Sequence, residues 1–210
     1  MRTVLRILGA LLAAVPLYAA AAEPYFPLLV LEDSWSYRIE QGPKGEPPSI
    51  SFKSVKVLYR TTGWQYAITS YLPKVASDRQ IHDVLLTVDT DACVVDPFIK
   101  AVLRVGVRCE VKPAAGEEWN EALQIGDRTL QAKTTFLGTE ELIVGAGKFT
   151  TLKFTFTGTF LNKKGRRIAD VDATYWYAPE VKGMVRIDSH DATSEGEHVF
   201  VASLESFPAK

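Results

Sequence analysis

The sequence predicts a mainly β protein: a curved antiparallel sheet, a barrel or half-barrel, with one or two short helices. Three observations lead there. About ten short runs alternate apolar and polar residues at period two. Gly, Pro and Asn cluster between those runs as turn signals. Only residues 96–106 carry the marks of a helix, with Asp96 as N-cap, Pro97 at the first helical position and Gly106 as the stop; a valine-rich strand is the rival reading there.

The chain starts with Arg2 and Arg6, an apolar run and Ala20, Ala21 and Ala22 before Glu23. That order reads as a secretory signal peptide over residues 1–22, too short to span a bilayer. Residues 23–210 are expected to form a single β-rich domain. A faint echo between Glu32-Asp33-Ser34-Trp35 and Gly116-Glu117-Glu118-Trp119 raises the alternative of duplicated halves, 23–112 and 113–210. No Cys lies at the cleavage point, so the expectation is an exported, periplasmic chain without a lipid or transmembrane anchor. The net charge of −1 argues against nucleic acid as a partner. Cys93 and Cys109 are the only cysteines. In an oxidising compartment they are expected to form a disulfide, worth roughly 3 kcal/mol for a loop of about 15 residues.

Taken in order, Trp35, Tyr37 and Ile39 share one strand face. Residues 41–49 read as loop, being rich in Gly and Pro. Ile50 and Phe52 are out of phase with Val55, Val57 and Tyr59, which predicts a β-bulge near Ser54. Gly63 turns the chain into Trp64, Tyr66 and Ile68, and residues 81–88 form a further strand. A second series places strands at 129–136 and 141–144 and a turn at 145–147. The cleanest alternation follows: Leu152, Phe154, Phe156 and Phe160 on a dry face, Thr151, Lys153, Thr155, Thr157 and Thr159 on a wet one. Gly158 interrupts the apolar row and predicts a bulge or a sharp coil of the strand. Asn162 and Gly165 mark a hairpin into residues 168–178, Gly183 is expected to reverse the chain after Pro179, and Gly196 marks the last hairpin. Tyr175, Trp176 and Tyr177 alternate between faces, as rings packed at an edge strand.

Two of these stretches carry a family resemblance. Val144, Ala146, Gly147, Phe149, Thr151 and Lys153, with Tyr175-Trp176-Tyr177-Ala178-Pro179-Glu180-Val181 and the Gly116/Trp119 pair, resemble a group of exported bacterial proteins of unknown function that includes the TapB-like proteins. Coverage is about the last half of the chain. Gly145 stands where the group has Pro, and Lys182 separates Val181 from Gly183. The resemblance implies a β-rich exported domain and brings no catalytic residues.

Chemistry is sparse. His82, His190 and His198 are the only histidines, and no Gly-x-Ser-x-Gly elbow accompanies them. Asp188, His190, Asp191, Glu195, Glu197 and His198 form the densest polar cluster; its spacing matches no metal motif and reads as a solvated turn. Asp89, Asp91 and Asp96 lack the glycine and terminal Glu of a calcium loop. No cofactor, metal or catalytic residue is assigned. The leading expectation is a non-enzymatic binder or carrier of a hydrophobic or amphipathic, lipid-like ligand, with Phe154, Phe156, Phe160 and Trp176 as ligand-binding candidates. The alternative is an interaction module that offers an edge strand to another envelope protein. A periplasmic hydrolase ranks third, and needs a histidine in a cleft beside a serine or carboxylate.

Overall fold

The computed structural model describes residues 33–60, 63–71, 81–89 and 112–208. The proposed signal peptide, Cys93, Cys109, Asp91 and the predicted helix at 96–106 lie outside those residues. Ten strands form one antiparallel sheet: β1 (Ser34–Pro43), β2 (Ser49–Arg60), β3 (Gly63–Tyr71), β4 (Ile81–Asp89), β5 (Glu118–Ile125), β6 (Arg128–Val144), β7 (Gly147–Leu161), β8 (Arg167–Ala178), β9 (Gly183–Thr193) and β10 (Gly196–Ser206). Their order is β4-β3-β2-β1-β10-β9-β8-β7-β6-β5. The sheet is therefore open, ending at β4 and β5, and no helix occurs among the described residues.

The sheet curls. Ala146, in the β6–β7 turn, donates its N–H to the Leu204 carbonyl at 3.0 Å, although β9, β8 and β7 lie between β10 and β6 in the strand order. Phe149 and Phe207 meet edge to face at 5.7 Å across the same gap. Curling wraps one face around a core that contains Tyr37, Ile39, Phe136, Phe154, Phe156, Tyr175, Ile187 and Leu204, all essentially buried. The predicted inward set Trp35, Tyr37 and Ile39 is inward.

Several local expectations are corrected. β1 continues through Gly42 and Pro43, because residues 38–43 pair with β10 as far as His198. No bulge occurs near Ser54: the β1–β2 pairing is unbroken from Ser34 to Gln41, and Ile50 and Phe52 lie on the outer face, partly exposed. The irregularity in β2 falls instead between Val57 and Tyr59. Residues 129–136 and 141–144 belong to one strand, β6, interrupted by a bulge that turns Leu137 outward, with Gly138 at φ 128°. β5 was not anticipated; Gly126 at φ 62° makes the tight turn that folds it onto β6.

Gly158 sits in unbroken pairing with Ala132 and Val171, so it is no bulge. A Cβ there would lie 2.8 Å from Leu130 Cδ1 and 3.2 Å from both Phe156 and Val171, so glycine makes room for their packing. Thr151 is buried, not wet, and donates its hydroxyl to the Glu140 carbonyl at 2.9 Å. β8 is an interior strand between β9 and β7, so Tyr175, Trp176 and Tyr177 are not at an edge. In the corner after β8 the positive φ belongs to Lys182 (56°), not Gly183. Gly183 is needed for proximity: a Cβ would come within 2.9 Å of Trp35 Nε1.

Candidate binding cavity

The residues that decide where a ligand fits are the inward ones of β1, β8, β9 and β10. At one end of these strands the inward row is apolar and buried. Trp35 Nε1 donates to the Val181 carbonyl at 2.8 Å, and the Tyr37 hydroxyl donates to the Met184 carbonyl at 3.0 Å. Lys182 and Asp33 pair at 3.1 Å with little exposure. Lys182 thus ties the corner to the start of β1.

At the other end the same inward positions become polar. Along β9 the row reads Ile187, Ser189, Asp191; along β10 it reads Leu204, Ala202, Phe200, His198; along β1 it reads Tyr37, Ile39, Gln41. There the face opens into a cavity of about 530 Å³. Tyr175, Ile187 and Phe200 supply its apolar wall, and Gln41, Lys53, Ser189, Asp191 and His198 its polar one. The size falls in the range of small-molecule sites, and the mixture of apolar wall and a few polar groups is what such sites use for affinity and orientation.

Ser189 Oγ donates to Asp191 Oδ1 at 3.4 Å. Asp191 is at the exposed rim, yet partial burial of its carboxyl raises the pKa above the ordinary 3.8, while Ser189 and the charges of His190 and His198 pull the other way. The two histidines of the β9–β10 hairpin lie on opposite faces, since His190 pairs with Val199 and His198 with Asp191. They do not share a metal site. His190 Nε2 meets Glu197 Oε2 at 3.1 Å on the outer face, where Lys44 Nζ also reaches Glu197 at 2.7 Å. No group of three metal-ligating side chains occurs among the described residues. His198 does lie in a cleft with a serine and a carboxylate. Ser189 donates its hydrogen bond to Asp191, and no Ser189–His198 hydrogen bond occurs among the described residues.

The sequence-predicted residues lie elsewhere. Phe154 and Phe156 are in the core, with Phe136 and Phe154 ring centroids 5.1 Å apart. Phe156 presents its edge to Tyr175 at 6.2 Å and so backs the cavity wall. Phe160 is partly buried against the core. Trp176 is on the outer face, where its indole N–H donates to Glu140 and its ring lies 5.1 Å from Lys153 Nζ and 5.9 Å from Arg186 Cζ. Glu140 is held below the usual carboxylate range, first by that indole. Of the cavity-lining residues, Asp191 and His198 stand in the polar cluster that the sequence reads as a solvated turn, whereas Gln41, Lys53, Ser189 and Phe200 are not singled out there. The one available signal was polar residues at inward phase near the hairpin ends.

No family model matches the chain, and no curated protein matches it in sequence. The TapB-like resemblance therefore rests on its motifs alone. Among solved structures, the chain is similar to a candidate lipoprotein from Parabacteroides distasonis at 13% identity, covering 85% of this chain and 96% of that one with a TM-score of 0.48. It is similar to the hypothetical lipoprotein YmcC from Escherichia coli at 12% identity, covering 84% and 85% with a TM-score of 0.39. A LolA superfamily protein from Nitrosomonas europaea matches at 10% identity over 85% and 86% with a TM-score of 0.30.

Proposed function

We propose that the chain is an exported, non-catalytic binding protein that holds an amphipathic molecule in the cavity at the open end of its curled sheet. The cavity itself carries this reading: an apolar wall of Tyr175, Ile187 and Phe200 faces polar groups at the rim, within about 530 Å³. The apolar part of the ligand lies against the rings and Ile187, and its polar end meets Gln41, Ser189 and the rim charges. Phe154 and Phe156 support the wall from behind, and Phe160 and Trp176 take no direct part. The leader-like residues 1–22 support a periplasmic location, and no helix among the described residues is long and apolar enough to cross a membrane.

The test is binding of an uncharged naphthylamine dye to the native protein, alongside native mass spectrometry for a retained small molecule. Saturable one-to-one binding, lost when Ser189→Trp fills the cavity without unfolding the sheet, is the expected result. Unchanged dye binding in Ser189→Trp would overturn the assignment. A second reading, strand addition by a partner protein, is favoured by one observation: β4 and β5 end the strand order of an open sheet. A stoichiometric partner contacting β5, with no small molecule in the cavity, would select it.

A further inference from the structure

Positive charge is concentrated on two adjacent turns. Lys163, Lys164, Arg166 and Arg167 stand within five residues at the β7–β8 turn, and all four are exposed. Arg128, also exposed, begins β6 after the neighbouring turn, and the two turns meet where Lys163 Nζ lies 4.0 Å from Asp127 Oδ2. Two carboxylates answer these five cations: Asp127 takes Lys163, and Asp170 takes Arg167. Lys164, Arg166 and Arg128 have no ion pair among the described residues.

The β7–β8 turn is held by its own sequence. Asn162 Oδ1 accepts the backbone N–H groups of Lys164 and Arg166 at 2.9 and 3.0 Å, and the Asn162 carbonyl accepts that of Gly165 at 2.8 Å. Gly165 takes the φ of 71° that a side chain would resist. The cations are therefore displayed from an ordered tip, which lowers the entropy a partner must offset. The tip also lies at the cavity's end of the sheet. Gly158, Val171 and Asp191 form one cross-strand row with His198 of the cavity, and the β7–β8 turn lies beyond that row. At the same end the β1–β2 and β9–β10 turns carry the opposite balance, Lys44 against Glu46, Glu195 and Glu197. Cationic charge is thus gathered on the β7–β8 side, although the whole chain stands at −1.

We propose that the β7–β8 tip docks the open end of the sheet on an anionic lipid surface and so brings the cavity to the bilayer. Lys and Arg near such a surface are drawn by the negative potential of its head groups, each by a similar increment, within about one Debye length. The tip recognises surface charge and needs no particular lipid. The leader-like residues 1–22 favour a lipid surface over a nucleic acid, because they direct the chain to the envelope. Docking and cavity binding are separate claims: a protein whose tip does not dock can still take a ligand, and the reverse.

The test is co-sedimentation of the purified protein with vesicles of phosphatidylcholine, either alone or with about one third phosphatidylglycerol. Wild type should bind the anionic vesicles in ~50 mM sodium chloride, leave them in ~500 mM, and ignore the neutral ones. Lys164→Gln combined with Arg166→Gln should weaken binding roughly 25-fold, about fivefold for each charge. Both side chains are exposed and only their backbone groups bond Asn162, so near-UV circular dichroism should be unchanged. Lys112→Gln combined with Lys148→Gln removes the same charge at the corner end, beside Thr139 and Glu141, and should bind like wild type. Equal binding to both kinds of vesicle, equal loss in the two double variants, or wild-type binding by the tip variant overturns the proposal. Tighter binding to a DNA duplex than to the anionic vesicles at the same salt overturns it as well. The tip variant should take the neutral dye as wild type does, so a failure of docking leaves the cavity reading in place.

Discussion

The two ends of β1, β8, β9 and β10 obey the same period-two alternation and use it differently. At the corner end, inward positions hold Tyr37, Tyr177, Met184 and Leu204, and exposure falls to 2% or less. At the open end, inward positions hold Gln41, Ser189, Asp191 and His198 around a cavity. The chain pays for the corner with specific contacts: a tryptophan and a tyrosine each donate to a backbone carbonyl, and the β6–β7 turn bonds across the curl to Leu204. The open end carries an exposed ion pair at its rim, Lys44–Glu197, beside the His190–Glu197 contact. Stability should therefore reside at one end and binding at the other.

The sharpest way to break that division is to truncate one inward side chain at each end. Leu204→Ala removes a fully buried side chain in the corner and is expected to cost about 2–5 kcal/mol in urea denaturation. Phe200→Ala, on the partly exposed cavity wall, should cost clearly less and should weaken binding of the neutral dye. Equal costs at the two positions would mean that the wall is core and the cavity incidental. Within the corner, Trp35→Phe keeps the ring but removes the N–H that satisfies the Val181 carbonyl, for an expected loss of about 1–2 kcal/mol with no change in dye affinity.

A polar residue on the inward face need not mark a site, and Thr134 provides the control. Its hydroxyl is buried between Ala132 and Phe136 on β6 and has no hydrogen-bond partner among the described residues. It does not line the cavity. Thr134→Val should raise stability by about 1–2 kcal/mol, since it removes an unsatisfied group at nearly constant shape. Dye binding should not change; if it weakens, the cavity extends along β6 and its boundary has been drawn too tightly.

How much of this was legible follows from what alternation encodes. Alternation assigns a side chain to a face, so the buried sets Trp35/Tyr37/Ile39 and Leu152/Phe154/Phe156 could be read directly. It does not assign a height along the curl, which is set by the pairing between strands. Asp191 and His198 therefore read as part of a solvated turn, although their phase is inward. Nor does it carry register: Phe154 pairs with Tyr175, which sets Trp176 beside Lys153 on the outer face, away from the phenylalanines. β5 was missed because Glu118, Glu121, Ala122, Leu123 and Gln124 are good helix formers, and its strand state is imposed by pairing with β6. Gly183 was read for its backbone freedom, whereas its neighbour Trp35, distant in sequence, is what demands a glycine.

The smallest effect belongs to the rim. Glu197 accepts from Lys44 at 2.7 Å and meets His190 at 3.1 Å, and Lys44 first, then His190, hold its carboxyl below the ordinary 4.5. A depressed folded pKa means that the pair's contribution is present above the unfolded value and disappears as pH falls through the folded one. Wild type should thus lose this increment on acidification below about pH 4.5, and Glu197→Gln should lack that portion of the slope. The pair is exposed, so the difference between the two proteins should be small at low ionic strength and vanish in high salt. The backbone bond from Lys44 N to the Glu197 carbonyl, at 2.9 Å, survives the substitution and keeps the two hairpins in register. A loss in Glu197→Gln as large as that in Leu204→Ala would show that the rim is structural, and that the open end is no looser than the corner.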